Sequence, residues 1–306
     1  MMMPRIRLPL LHYHSKDETA SSFFEDRHYR VTDSFCVSKI GRSEAVHISP
    51  DSTKVAYASF DMNKIVVFEI RMSCGKVEID NCSFFGPDLN SPHDFTWIDA
   101  NLIAVSNRDG PAVIFSIDSD FCRFIPEMSN SNSVAAIKIG GGTRLVFCRT
   151  NNSLGYCDLD DNNDLVSVGT LIDDDGLFDV PDGVAASPSG KSIAVTSALS
   201  DEIFLCDPRG LRSPVKIGSA DRPHGVCFLS ENMLLSTGGG DPFVYFWDTD
   251  NHSKFKFKVL EEDAYSLRGS DIEGGIKGAC FCPNLKLLFM TCPNSPFIIY
   301  DASSLK

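Results

Sequence analysis

Five residues with acid–base or charge chemistry, Glu44, His93, Asp182, His224 and Lys277, each stand directly ahead of a short apolar run. The runs read SEAVHISP, SPHDFTWI, VPDGVAAS, RPHGVCFL and GIKGACFC, so the ionisable residue holds the same lead position in each. A sixth run, SNSVAAIKI, offers Asn132 or Ser133 there. Brought to one opening, the carboxylates and imidazoles suit general acid–base catalysis, and His93, His224, Asp182, Glu44 and Lys277 are the catalytic candidates. Lys277 would attract an anionic substrate group or steady a developing oxyanion. Alternatively, two imidazoles and two carboxylates hold a divalent cation, where calcium or magnesium, ahead of zinc, prefers the oxygens.

Distant lead residues meet only if the elements behind them converge, and the chain repeats one pattern that does this. After each apolar run come a polar turn (SPDSTK, SPSGK, LSEN), a second apolar run, a loop rich in Asn, Asp and Gly, and a third run. These are turn formers between β-branched or aromatic strands. The copies start near 44, 93, 133, 182, 224 and 277, which are 40 to 53 residues apart and leave room for a fourth strand in each. No segment keeps a helical rhythm. The pattern predicts an all-β fold, a six-bladed β-propeller of four-stranded blades over residues 44–306. The last copy ends at Tyr300–Asp301 after its third strand. Residues 1–43 are therefore expected to form an N-terminal arm plus an outer strand, from the 23–40 stretch, that closes the ring.

In such a ring the lead residues and the loops after the second strands lie on one face, around the axial channel. Glu44 would oppose Asp182, and His93 would oppose His224. The second loops add Asn107, Arg108 and Asp241 as substrate-binding candidates. Most Asn and Asp there serve turns, but a cation in SNRDG has no turn role, so Arg108 is a candidate for a carboxylate or phosphate group.

PDGVAASPSGKSIAVT and PHGVCF resemble the first blade strands of the six-bladed propellers that include gluconolactonase/regucalcin-type, NHL-repeat and streptogramin-lyase-like proteins. The resemblance covers residues 44–301. It implies a divalent metal held by a Glu of the first blade, an Asn and the Asp of a PDG motif, which Glu44, Asn132 and Asp182 match by residue type. Trp247-Asp248 looks like a WD-type blade ending, but it occurs once and without a Gly-His partner.

The 306 residues are 43% hydrophobic and 23% charged, which is ordinary for a globular chain with a sizeable core. A formal net charge of −13 opposes binding to nucleic acid and to anionic membranes. Eleven cysteines without a CxxC pair, no signal-peptide core and no apolar run near ~18 residues point to free thiols in the cytoplasm. SGKS at 189–192 lacks the P-loop's upstream glycine, DLDDNND from Asp158 lacks the EF-hand Gly and Glu, and no GxSxG motif is present. HYH at 12–14 is a minor metal candidate in the arm. Together these features predict a small-molecule enzyme, a hydrolase, lyase or biosynthetic tailoring catalyst, with its ligand in the axial channel. The alternative is a non-catalytic propeller scaffold for protein partners, which should expose an apolar rim. Here the rim loops are small and polar, with Phe60 and Phe243 scattered among them.

Overall fold

The computed structural model describes residues 6–7, 28–31, 43–73, 76–87, 89–173, 176–238, 243–258, 275–292 and 295–301. Asp241 and the HYH segment fall outside them. The chain is a β-propeller. Two short strands, β1 (Ile6–Arg7) and β2 (His28–Val31), precede the first blade, β3 (Ser43–Ile48), β4 (Lys54–Ser59), β5 (Lys64–Ser73) and β6 (Lys76–Phe85). The second blade is β7 (Pro92–Trp97), β8 (Leu102–Asn107), β9 (Ala112–Ser116) and β10 (Cys122–Ile125). A 3-10 turn at Pro126–Met128 leads into the third, β11 (Ser131–Ile139), β12 (Gly142–Arg149), β13 (Ser153–Leu159) and β14 (Leu165–Ile172). The fourth is β15 (Pro181–Ala186), β16 (Ile193–Ser197), β17 (Glu202–Cys206) and β18 (Val215–Ser219). The fifth is β19 (Pro223–Ser230), β20 (Met233–Gly238), β21 (Phe243–Asp248) and β22 (Lys254–Lys258). Last come β23 (Gly278–Cys282), β24 (Leu287–Cys292) and β25 (Ser295–Asp301).

Two expectations are corrected by this topology. Among the described residues, five sheets carry the full four-strand meander and not six; the last sheet has three strands. The N-terminal strand does not complete that last sheet. Instead β2 pairs in parallel with β6, through Arg30↔Glu78 and Val31↔Ile79, and so extends the first blade. The outer strand β6 is ten residues long and offers a free edge beside the start of the chain, which is where an unpaired strand is satisfied. Closure between the last sheet and the first blade is apolar. Cys280, Cys282, Leu287 and Phe289 pack with Val46, Tyr57, Val66 and Phe68 in one buried cluster.

Each blade is driest at its second strand because that strand lies between two neighbouring blades. The strands LIAVSN and IAVTS are buried at every residue, whereas the outer strand LVSVGTLI is buried at none. Their continuous apolar character follows from burial of both pleat faces. Successive blades are joined by apolar clusters, such as Phe95, Val105 and Val113 against Ala56, Ile65 and Val67. Cysteines serve this packing: burial pushes the thiols of Cys157, Cys206 and Cys227 up to about 12. Cys82, by contrast, is disulfide-bonded, which corrects the expectation of free thiols throughout. Among the described residues no helix is long and apolar enough to cross a membrane.

Blades are also tied by a recurring hydroxyl one residue before the end of the second strand. Thr196 Oγ accepts the Gly183 N–H at 2.7 Å and donates to the His224 carbonyl of the next blade at 2.8 Å. Thr237 does the same between Gly225 and Lys277, at 3.0 Å on each side. Thr291 links Gly278 to Glu44, and Ser106 links Asp94 to Asn132. Each hydroxyl therefore fixes the backbone of a lead residue. Replacing buried Thr196 by isosteric Val strands one N–H and one carbonyl, so Thr196→Val should cost roughly 2 kcal/mol or more, and Thr196→Ser under about 1. Urea-denaturation midpoints check both values.

Candidate functional site

The lead residues project from breaks in strand pairing. Register shifts lie between Ser43 and Val46, Pro92 and Asp94, Ser131 and Ser133, Pro181 and Val184, and Pro223 and Val226. Each break contains one lead residue: Glu44, His93, Asn132, Asp182 or His224. A bulge frees a residue from the ladder and re-aims its side chain. Two residues upstream the chain turns with positive φ, at Ser91 (53°), Asn130 (58°), Val180 (58°), Arg222 (40°) and Gly275 (74°). The same turn thus delivers Lys277 in the last sheet. For β-branched Val180 this conformation is strained, at a cost of order 1–3 kcal/mol that the surrounding contacts must hold.

All six lead residues line one cavity at the axial mouth. It measures about 440 Å³ with its opening, of which only about 40 Å³ admits the centre of a water molecule. That admits one end of a small molecule. Inside, Asp182 carries an ion pair through Oδ2 to His224 Nδ1, with the carboxylate side chain 8% exposed. His224 Nε2 in turn stands 3.5 Å from Lys277 Nζ. With its Nδ1 proton committed to the carboxylate, the ring in its neutral form presents an Nε2 lone pair to the cavity. Burial works to raise the Asp182 pKa, but the His224 hydrogen bond and the charges of His224, His93 and Lys277 outweigh it. The carboxyl is held below its ordinary 3.8.

A second carboxylate–imidazole pair lines the same cavity. Asp94 Oδ1 accepts from His47 Nε2 at 2.9 Å, and Asp94 Oδ2 accepts from the Ser133 hydroxyl. Ser133 Oγ also accepts the Val184 N–H at 3.0 Å, so this network touches the fourth blade. His93 Nδ1 donates to the Asn132 carbonyl at 2.9 Å. Buried Asn132 donates through Nδ2 to the Pro181 carbonyl at 3.1 Å, while its Oδ1 has no hydrogen-bond donor.

The structure therefore brings together Glu44, His93, Asn132, Asp182, His224 and Lys277, but not the second-loop candidates. Asn107 is buried at the end of β8, donating to the Pro111 carbonyl, and Arg108 is exposed; neither lines the cavity. Loops after second strands are tied back to the loops ahead of the lead residues, as in Arg108 N–H to the Ser91 carbonyl, so their side chains face the rim. The metal set implied by resemblance, Glu44, Asn132 and Asp182, lines this cavity. Asp182 is committed to His224, and among the described residues no three His, Cys, Asp or Glu side chains group as metal donors. Sequence reasoning missed Asp94 and His47. Their signals were present: PHD breaks the Gly of PDG, PHG and IKG, and His47 interrupts an apolar strand.

No protein-family model matches the chain, and no curated protein sequence matches it.

The depressed Asp182 pKa has a consequence for acid stability. As pH falls, the unfolded chain takes up the proton before the folded one, so the contribution of Asp182 is complete above about 3.8 and lost as pH drops through the lower folded value. The stability gap between wild type and Asp182→Asn should therefore be widest near neutrality and close progressively below about pH 3.8, which denaturation across pH measures.

Proposed function

We propose that the cavity is the active site of a small-molecule enzyme of the hydrolase or lyase class, working by proton transfer at His224. The observation that carries this reading is the buried Asp182 carboxylate on His224 Nδ1, with Nε2 left facing Lys277 and the cavity. In that arrangement the carboxylate orients the ring and stabilises the imidazolium formed when Nε2 removes a proton from substrate or water. Lys277 supplies positive charge where an oxyanion would develop. The His47–Asp94 pair offers a second acid–base centre, as hydrolysis and elimination both require one proton removed and one delivered to the leaving group. Reading β23–β25 as a sixth, shortened blade would set the chain beside the six-bladed enzymes its repeats resemble. The apolar packing of β23 and β24 on the first blade supports that reading.

A scaffold role draws on a different observation, the exposed Phe124, Val166, Leu211 and Val215 on or beside the outer strands of three adjacent blades. These residues lie on the outer edge and leave unexplained why two carboxylate–imidazole pairs share a cavity. The test is to incubate wild type and His224→Ala with a small-molecule extract of cells and follow all species by mass spectrometry. Wild type should convert at least one compound about 10²–10⁴ times faster than the variant, with circular dichroism establishing that the variant, which loses the partner of a buried carboxylate, is folded. No conversion by wild type, or equal conversion by the variant, overturns the proposal.

A further inference from the structure

One side of the cavity presents acceptors without donors. Glu44, from the first blade, lines it with a half-buried side chain whose carboxylate makes no hydrogen bond or ion pair among the described residues. In the second blade, His93 Nδ1 must carry the proton it gives to the Asn132 carbonyl, so the neutral ring presents Nε2 as a lone pair. In the third, Asn132 is 1% exposed, and its Nδ2 is fixed as the donor to the Pro181 carbonyl, so the unmatched atom is the oxygen. A buried amide oxygen left without a donor costs free energy that a bound donor recovers. The other carboxylates of the cavity, Asp94 and Asp182, are already paired with imidazoles; Glu44 is not.

Three acceptors from three consecutive blades, one of them anionic and one fully buried, are complementary to a compact cation rich in N–H groups. A carboxylate, a phosphate or a bare hydrocarbon would meet lone pairs on this side. We propose that the ligand of this cavity carries a primary ammonium group, which docks against Glu44, His93 Nε2 and Asn132 Oδ1. The narrow interior accepts such a group while excluding the rest of a larger molecule. The inference rests on the cavity being the active site, and it narrows the substrate class to amines and amino-acid-like zwitterions. Their nitrogen is held by blades one to three, while the reacting end faces His224.

The test uses the full chain and two unreactive probes, methylammonium and tetramethylammonium, observed by saturation-transfer NMR on their methyl protons. Methylammonium should receive saturation and tetramethylammonium, which has the same charge but no N–H, should not. Glu44→Gln, an isosteric change, should weaken methylammonium about tenfold or more, as should Asn132→Ala. Circular dichroism and melting temperature establish that each variant is folded; should Asn132→Ala not fold, Glu44→Gln decides. Equal saturation of both probes, no saturation of methylammonium, or undiminished binding by Glu44→Gln overturns the proposal. So does displacement of methylammonium by equimolar calcium or magnesium, which would make the acceptors a metal site. Because probe binding needs no turnover, its failure is separable from failure of the His224 reading, which only the conversion assay addresses.

Discussion

The interaction on which this molecule depends is a hydroxyl shared by neighbouring blades. An inner strand that bulges at its start leaves a backbone N–H outside the ladder, and a buried orphan of that kind is expensive. Thr196, Thr237 and Ser106 each take up that N–H and hand their own proton to the carbonyl of the next lead residue, and Thr291 makes the same link from the last sheet, where the inner strand is regular. One atom thus joins the start of an inner strand to the neighbouring blade. Close contact follows from the same geometry. A Cβ at Gly225 would lie 2.5 Å from the Lys277 carbonyl, so the residue after the lead position must be small wherever blades approach this closely.

This construction explains why polar groups accumulate at one end of an apolar assembly. Asp182 is buried, and its charge is tolerable only because an imidazole sits on it. Asp94 is steadied in the same way by His47, Ser133 and the Phe95 N–H. Cys148, at the third-blade position equivalent to Thr196, Thr237, Thr291 and Ser106, lies close enough to both carboxylates that their charges add to burial in raising its thiol pKa. Strain at Val180 falls in the same region. Buried charge, strain and an unmatched amide are each unfavourable, and their concentration in one cavity opposes an account based on stability alone.

Much of this was legible in the sequence, for a physical reason. Turn residues and apolar runs report local geometry, so the spacing of SPDSTK, SPSGK and LSEN exposed the repeat, and the residue ahead of each run fell where five bulges and one strand start now stand. What failed was anything set by pairing across the ring. The N-terminal strand chose the edge of β6, a decision between two unpaired edges that composition does not record. Arg108 looked free of any turn role, yet its loop is tied back by backbone hydrogen bonds that depend on no side chain. Asp94 was passed over because it directly follows His93. In a regular strand the two would face opposite ways, but the bulge brings both to the cavity.

The two halves of the ring are chemically unlike. Blades four and five, with the last sheet, contribute the chain Asp182–His224–Lys277, in which each polar group has a partner. Blades one to three contribute the unmatched acceptors. A symmetric ring of identical repeats would bind a ligand in several equivalent orientations, and a base placed on one blade would meet the reacting atom in only a fraction of them. Divergence among the copies removes that degeneracy. Glu44 and His224 can face different ends of one bound molecule because their strands lie on different sides of the channel, fixed by packing and not by either side chain. Under the proposed function, the cost of ordering a small ligand then falls on a preformed site, and what orientation gains is available to the chemical step.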